Sequence, residues 1–149
     1  MVRRIPDGYR AVTPYLVIAG VDRVMKFLRL AFGAAEKFPP MKRPDGTVAH
    51  AEMRIGDSDV MIGEARGEYP PTPGSFYVYV EDVDGTYRRA LRAGAVSVTE
   101  PQDQFYGDRS AGVRDPGGNF WWIATHKEDV SEKEMERRFR ASLAQESAL

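Results

Sequence analysis

His50 and Glu52 stand two residues apart in a stretch, residues 47–55, that alternates polar and apolar side chains. On a β-strand that spacing projects both from one face. A neutral imidazole beside a carboxylate can act as a general base or hold a substrate hydroxyl, which makes the pair the candidate catalytic residues. A simple His–Glu hydrogen bond on a partly exposed strand is the other reading of the same two residues. Arg54 continues that face, where it could hold a ligand carboxylate through two parallel hydrogen bonds or pair with Glu52. His50 and Glu52 could also begin a metal site, completed by His126 or Glu64, but His126 is expected beyond the end of the last strand. The chain has two histidines and no cysteine. A three-histidine site within one chain, thiolate ligands, disulfides and a cysteine nucleophile are therefore excluded. No Ser-His-Asp arrangement is readable, and no glycine-rich phosphate loop follows a strand.

The elements that must position these side chains are legible because the chain repeats itself. Residues 15–22 read Tyr-Leu-Val-Ile-Ala-Gly-Val-Asp, and residues 77–84 read Tyr-Val-Tyr-Val-Glu-Asp-Val-Asp. Each run leads into a helical pattern that ends near a glycine, Gly33 or Gly94, suited to a C-cap. Val24, Phe27, Leu28 and Ala31 form one apolar stripe, and Val83, Tyr87, Ala90 and Leu91 form a weaker one. In the first half, the turn Pro44-Asp45-Gly46 precedes the alternating strand, and Gly56-Asp57-Ser58 turns the chain into a strand over 59–63. In the second half, strands are expected over 95–99, 110–114 and 119–125. An irregular stretch over 101–107 separates the first two, and the turn Asp115-Pro116-Gly117-Gly118 separates the last two. Each half thus reads β-α-β-β-β. The expected fold is α+β, a single domain over 1–149 built from two tandem βαβββ modules with curved mixed sheets. Module one spans about 10–65, a Pro- and Gly-rich linker 66–74, and module two about 75–126. Ser131-Glu132-Lys133-Glu134 is a capping-box pattern that opens a short, solvated C-terminal helix over about 131–145.

Strand periodicity assigns faces. Leu16 and Ile18 should pack on the first helix, leaving Thr13, Tyr15 and Val17 toward a cavity. Phe76, Val78 and Val80 should pack on the second, leaving Ser75, Tyr77 and Tyr79 free. On the last strand Phe120, Trp122 and Ala124 share the cavity face, with Trp121 and Ile123 behind. The cavity is expected to gather Tyr15, Tyr77, Tyr79, Phe120 and Trp122, a lining suited to a planar or partly apolar small molecule. Burial in a homodimer interface is the competing use of the same aromatics. Phe105-Tyr106, followed by Gly107, could close over the pocket. The net charge of −1 gives no reason to expect nucleic acid or an anionic membrane. No apolar run approaches the ~20 residues that span a bilayer. The basic N-terminus lacks the apolar stretch of a secretory signal, and a cytoplasmic location is the default expectation.

Two such modules resemble the vicinal-oxygen-chelate superfamily, the glyoxalase/bleomycin-resistance/extradiol-dioxygenase fold, over about residues 10–131. Val80-Glu81-Asp82-Val83-Asp84 is similar to that family's strand-to-helix junction, and Val113-Arg114-Asp115-Pro116-Gly117-Gly118 to its final hairpin. His50-Ala51-Glu52-Met53-Arg54-Ile55-Gly56-Asp57 and residues 121–131 resemble the PhnB-like branch, although Asn119-Phe120 stand where that branch commonly has His-Arg. The resemblance implies four metal-ligand positions, which fall near Thr13, Met61, Ser75 and Trp122. None of these is a histidine or carboxylate, so no metal and no other cofactor is expected. What it implies instead is a homodimeric protein that binds a small, aromatic organic molecule without metal, through Tyr15, Arg54, Met61, Tyr77, Tyr79, Phe120 and Trp122. The alternatives are a metal-free isomerase, lyase or cyclase moving protons with His50 and Glu52, and a metal-dependent lyase or dioxygenase.

Overall fold

The computed structural model describes residues 1–148. Its first half runs β1 (Tyr15–Ile18), α1 (Val21–Phe32), β2 (Ala35–Glu36), β3 (Met41–Lys42), β4 (Val48–Ile55) and β5 (Ser58–Glu64). The second half runs β6 (Ser75–Tyr79), α2 (Val83–Arg92), β7 (Val96–Asp103), β8 (Asp108–Arg114) and β9 (Phe120–His126), and α3 (Glu132–Ser147) follows it. The first sheet has the order β1-β5-β4-β2, with β3 also on β4, and the second has the order β6-β9-β8-β7. In both, the opening strand lies parallel to the closing strand of its module and all other pairs are antiparallel. The architecture is α+β with two mixed sheets, one per repeat.

One core serves both repeats. Val24, Phe27, Leu28 and Ala31 of α1 are fully buried, and they meet Leu16, Ile18, Ala51, Met53 and Ile62 from the inner face of the first sheet. Trp121 and Ile123 bring the second sheet into the same core. Phe32 packs on Trp121 with ring centroids 5.2 Å apart, and Phe76 lies 4.8 Å from Trp121 on its other side. Burying a side chain as large as Phe27 contributes about 1.5–3 kcal/mol, so this shared core is what joins the halves. Because both inner faces turn toward it, both outer faces turn away from it.

Several boundaries differ from those expected. The strand after α1 is reduced to the two-residue β2 and β3. The stretch read as irregular after residue 99 is largely strand: β7 continues to Asp103, with register shifts between Ser97 and Thr99 and between Thr99 and Gln102. Pro101, which has no N–H to give a ladder, is accommodated because β7 is an edge strand with local irregularities. β9 also runs one residue further than expected, so His126 is its last residue, paired with Asp108.

No described residue of the C-terminal helix is fully buried, and Ser131 accepts from the Glu134 N–H at 3.2 Å as its cap. It is pinned by Arg138, which pairs with Glu128 and donates to the Phe105 carbonyl, and by Phe139, 5.4 Å from Phe105. Among the described residues no helix is long and apolar enough to cross a membrane.

Candidate functional site

Strand alternation puts two polar and aromatic clusters on the two outer faces. On the first sheet, His50 and Glu52 of β4 lie side by side, with His50 Nε2 3.0 Å from Glu52 Oε2. Glu52 is only 5% exposed, and its other oxygen, Oε1, accepts the hydroxyl of Tyr9. The His50 ring lies between Tyr15 and Phe38, at centroid distances of 5.7 and 6.3 Å. The Lys37 ammonium sits 3.5 Å from the centre of the Tyr9 ring, held there by Asp59 at 2.9 Å. Met61 is the cross-strand neighbour of both Glu52 and Tyr15 and so belongs to this face. Arg54 does not pair with Glu52: its guanidinium bonds to Asp59 at 3.1 Å, by the β4–β5 turn.

The second sheet carries a tighter network. Asp108, 3% exposed, accepts from the Tyr77 hydroxyl at 2.9 Å and the Tyr79 hydroxyl at 3.0 Å on Oδ2, and meets His126 Nδ1 at 2.8 Å on Oδ1. His126 Nε2 lies 2.8 Å from Asp129, and the Tyr106 hydroxyl lies 3.1 Å from that of Tyr77. Burial alone would raise the Asp108 carboxyl, but the hydrogen bonds from His126, Tyr77 and Tyr79 outweigh it and hold it below its ordinary value. Hydrogen bonds to Asp108 and Asp129 raise His126. Burial, with Tyr106 and Asp108 alongside, pushes the Tyr77 phenol up, and its bond to Asp108 raises Tyr79. Both phenols therefore stay protonated and donate to Asp108, which suits them to recognition rather than to taking up a proton.

Beside this network Phe120 and Trp122 stack at 6.3 Å with planes 12° apart, and the Trp122 indole donates to Ser75 Oγ at 2.9 Å. Gly112 lies opposite Trp122 in the ladder, and a Cβ there would overlap the indole's six-membered ring. The ring thus lies flat on the sheet. Tyr106 is placed by the turn at Gly107, whose φ of 97° and contact with the Glu128 carbonyl leave no room for a side chain.

Tyr77, Tyr79, Phe120 and Trp122 are thus brought together, but Tyr15 is not among them. The expectation of one cavity containing all five is corrected: the outer faces of the two sheets turn away from a shared core, and Tyr15 lies on the other sheet. A groove of about 1080 Å³ runs between the modules along β6; it takes in Tyr77, Tyr79 and His126 but neither Trp122 nor the Glu52 pair. Its shape alone therefore misses most of the polar chemistry. Tyr9, Lys37, Asp108 and His126 as a sheet residue were absent from the sequence reading. Only Asp108 left a signal: Asp108, Ser110 and Gly112 alternate with the core residues Ala111 and Val113.

The residues at the implied metal positions do not fit a divalent ion. Thr13 precedes β1, Met61 offers a thioether, and the Trp122 indole has an N–H already given to Ser75. Glu64 cannot complete a site around His50, because it accepts from the Gly20 and Val21 amides at the start of α1. His126 engages Asp108 and Asp129 on the second sheet instead. Among the described residues no three His, Asp or Glu side chains form a group able to hold a metal.

The model of the Glyoxalase/Bleomycin resistance protein/Dioxygenase superfamily matches residues 12–123. The uncharacterized protein Mb0911c of Mycobacterium bovis is 33% identical over 137 residues, covering 85% of this chain and 90% of its own length. Among solved structures, TioX from Micromonospora sp. ML1 is 26% identical with a TM-score of 0.62, covering 82% of this chain and 100% of its own. The PhnB protein from Bacillus cereus has a TM-score of 0.63 at 18% identity, over 78% of this chain and 99% of its own, a likeness of fold.

Proposed function

Because this chain belongs to the glyoxalase/bleomycin resistance protein/dioxygenase superfamily, we propose that it uses that fold to bind a small aromatic molecule without a metal ion. The observation that carries this reading is the outer face of the second sheet, where Phe120 and Trp122 stack beside Tyr77 and Tyr79 over a buried carboxylate. Flat, exposed rings fixed from beneath lose little freedom when a planar ligand stacks on them. The unsuitable donors at Thr13, Met61, Ser75 and Trp122 support a metal-free pocket. Exposure of Tyr15 on one sheet and of Tyr77, Tyr79 and Phe120 on the other is compatible with a homodimer.

Proton transfer by His50 and Glu52 has less support, since both Glu52 oxygens are already engaged by Tyr9 and His50. A metal-dependent lyase or dioxygenase has no donor set behind it.

The test uses the two tryptophans, of which Trp121 is buried in the core and Trp122 lies on the proposed face. Chelator-treated protein titrated with a panel of planar aromatic compounds should show saturable quenching of tryptophan emission. That quenching should vanish in Trp122→Phe. Saturable binding of the same compounds that leaves Trp122 emission untouched would place the ligand elsewhere.

A further inference from the structure

The Glu52 cluster has a feature that aromatic binding on the second sheet does not use: its apparent ligand is part of the chain. Residues 1–13 run without strand or helix, and among the described residues the one backbone hydrogen bond they make is from the Tyr9 N–H to the Pro6 carbonyl. Their side-chain bonds are equally few, an exposed Arg3–Asp7 pair within the segment and the Tyr9 hydroxyl on Glu52. The hydrogen bond that ties this segment to the body is therefore made by a single phenol.

The slot that receives it is built from the body alone. Glu52, on the interior strand β4, offers a nearly buried carboxylate, and His50 engages one oxygen and leaves the other for an O–H donor. Lys37, fixed by Asp59, presents its ammonium to the face of the incoming ring. A carboxylate at the hydroxyl end and a cation over the ring match a neutral phenol at both places. A buried carboxylate oxygen with no donor is costly, so the slot favours some hydroxyl being present.

We propose that the Glu52–His50 slot is a binding site for hydroxylated aromatic compounds, phenols by chemical class, and that Tyr9 occupies it as a tethered competitor. The site lies on the first sheet and stands independently of ligand binding at Trp122. A tether of this length gives Tyr9 an effective concentration on the order of millimolar, so a free phenol must displace it to bind. The bound form is the neutral phenol, because a phenolate would face the Glu52 carboxylate.

The probes are p-cresol, which is the tyrosine side chain itself, and toluene, which lacks the hydroxyl. Calorimetric titration of the full chain should show Tyr9→Ala binding p-cresol about tenfold or more tighter than the unaltered protein, the gain expected from removing a tethered competitor. Toluene should gain nothing from Tyr9→Ala, and adding Glu52→Gln to Tyr9→Ala should reverse most of the p-cresol gain. In the unaltered protein, saturating p-cresol should move the Tyr9 amide resonance toward its random-coil position while Trp122 emission stays unchanged. Equal p-cresol affinity with and without Tyr9, or a toluene gain on removing Tyr9 as large as that of p-cresol, would overturn the proposal. So would a Tyr9 resonance that stays fixed at saturation. The last readout needs no substitution, so it holds even if a variant folds poorly.

Discussion

Asp115→Ala is expected to destabilise the fold by about 3 kcal/mol or more, a loss readable as a shift in the urea midpoint. Asp115 is 4% exposed and sits in the turn between β8 and β9. Its carboxylate accepts from the Gly117 N–H at 2.8 Å, the Asn119 N–H at 3.0 Å, the Asn119 amide nitrogen at 2.9 Å and the Trp121 indole at 2.8 Å. Alanine removes every one of these acceptors and leaves the donors in place, and those of Asn119 and Trp121 belong to buried residues. Burying a donor without a partner costs about 1–3 kcal/mol, so two or more such losses dominate any gain from removing a charge. The damage would not stay local. Asn119 Oδ1 accepts from the Gly74 amide at the entrance to β6, and Trp121 packs against Phe32 of the first module. Asp115→Asn should fall between, since it keeps one acceptor oxygen. A loss below about 1 kcal/mol for the alanine variant would show that the hairpin satisfies its donors in another way.

Asp108→Ala should produce the largest functional loss. The carboxylate is the common acceptor for Tyr77 and Tyr79 and the partner of His126, so without it two phenols and an imidazole lose the group that fixes their positions. Aromatic ligands should then bind about tenfold or more weakly, equivalent to ~1.4 kcal/mol, when followed through Trp122 emission. Stability should fall by less than with Asp115→Ala, because Tyr77, Tyr79 and His126 are partly exposed and their freed donors can reach water. Asp108→Asn preserves the shape but cannot accept from all three neighbours, and should lose affinity to a smaller extent. Unchanged affinity in Asp108→Ala would mean that the phenols contribute nothing to the face.

The fold was legible because its determinants are local. The paired runs at 15–22 and 77–84, the apolar stripe of α1 and the turn at residues 115–118 each depend on neighbours in sequence, and the inward and outward faces followed from alternation alone. The match to the superfamily over residues 12–123 agrees with that reading. The sites were less legible because they depend on register and on distant segments. Asp108 meets His126 only because the β8–β9 ladder extends to a pair outside both expected strands, two residues before 110 on one side and one beyond 125 on the other. Tyr9 reaches Glu52 across 43 residues from a segment with no periodic pattern, which no local rule could connect. Tyr15 was assigned to the correct strand face but to the wrong company, since the packing of the modules through α1 and Trp121 decides which faces meet. Arg54 was similarly placed on the right face, and its partner Asp59 was found only through the β4–β5 register.

The central claim is that this chain keeps the superfamily's scaffold and recognises its ligand without the scaffold's metal. Mass-spectrometric metal analysis of untagged, purified protein tests it most directly, run before and after incubation with zinc, nickel, manganese and ferrous iron followed by desalting. The donors at Thr13, Met61, Ser75 and Trp122 predict transition-metal content far below one ion per chain in both samples. One tightly held equivalent that survives desalting would contradict the account.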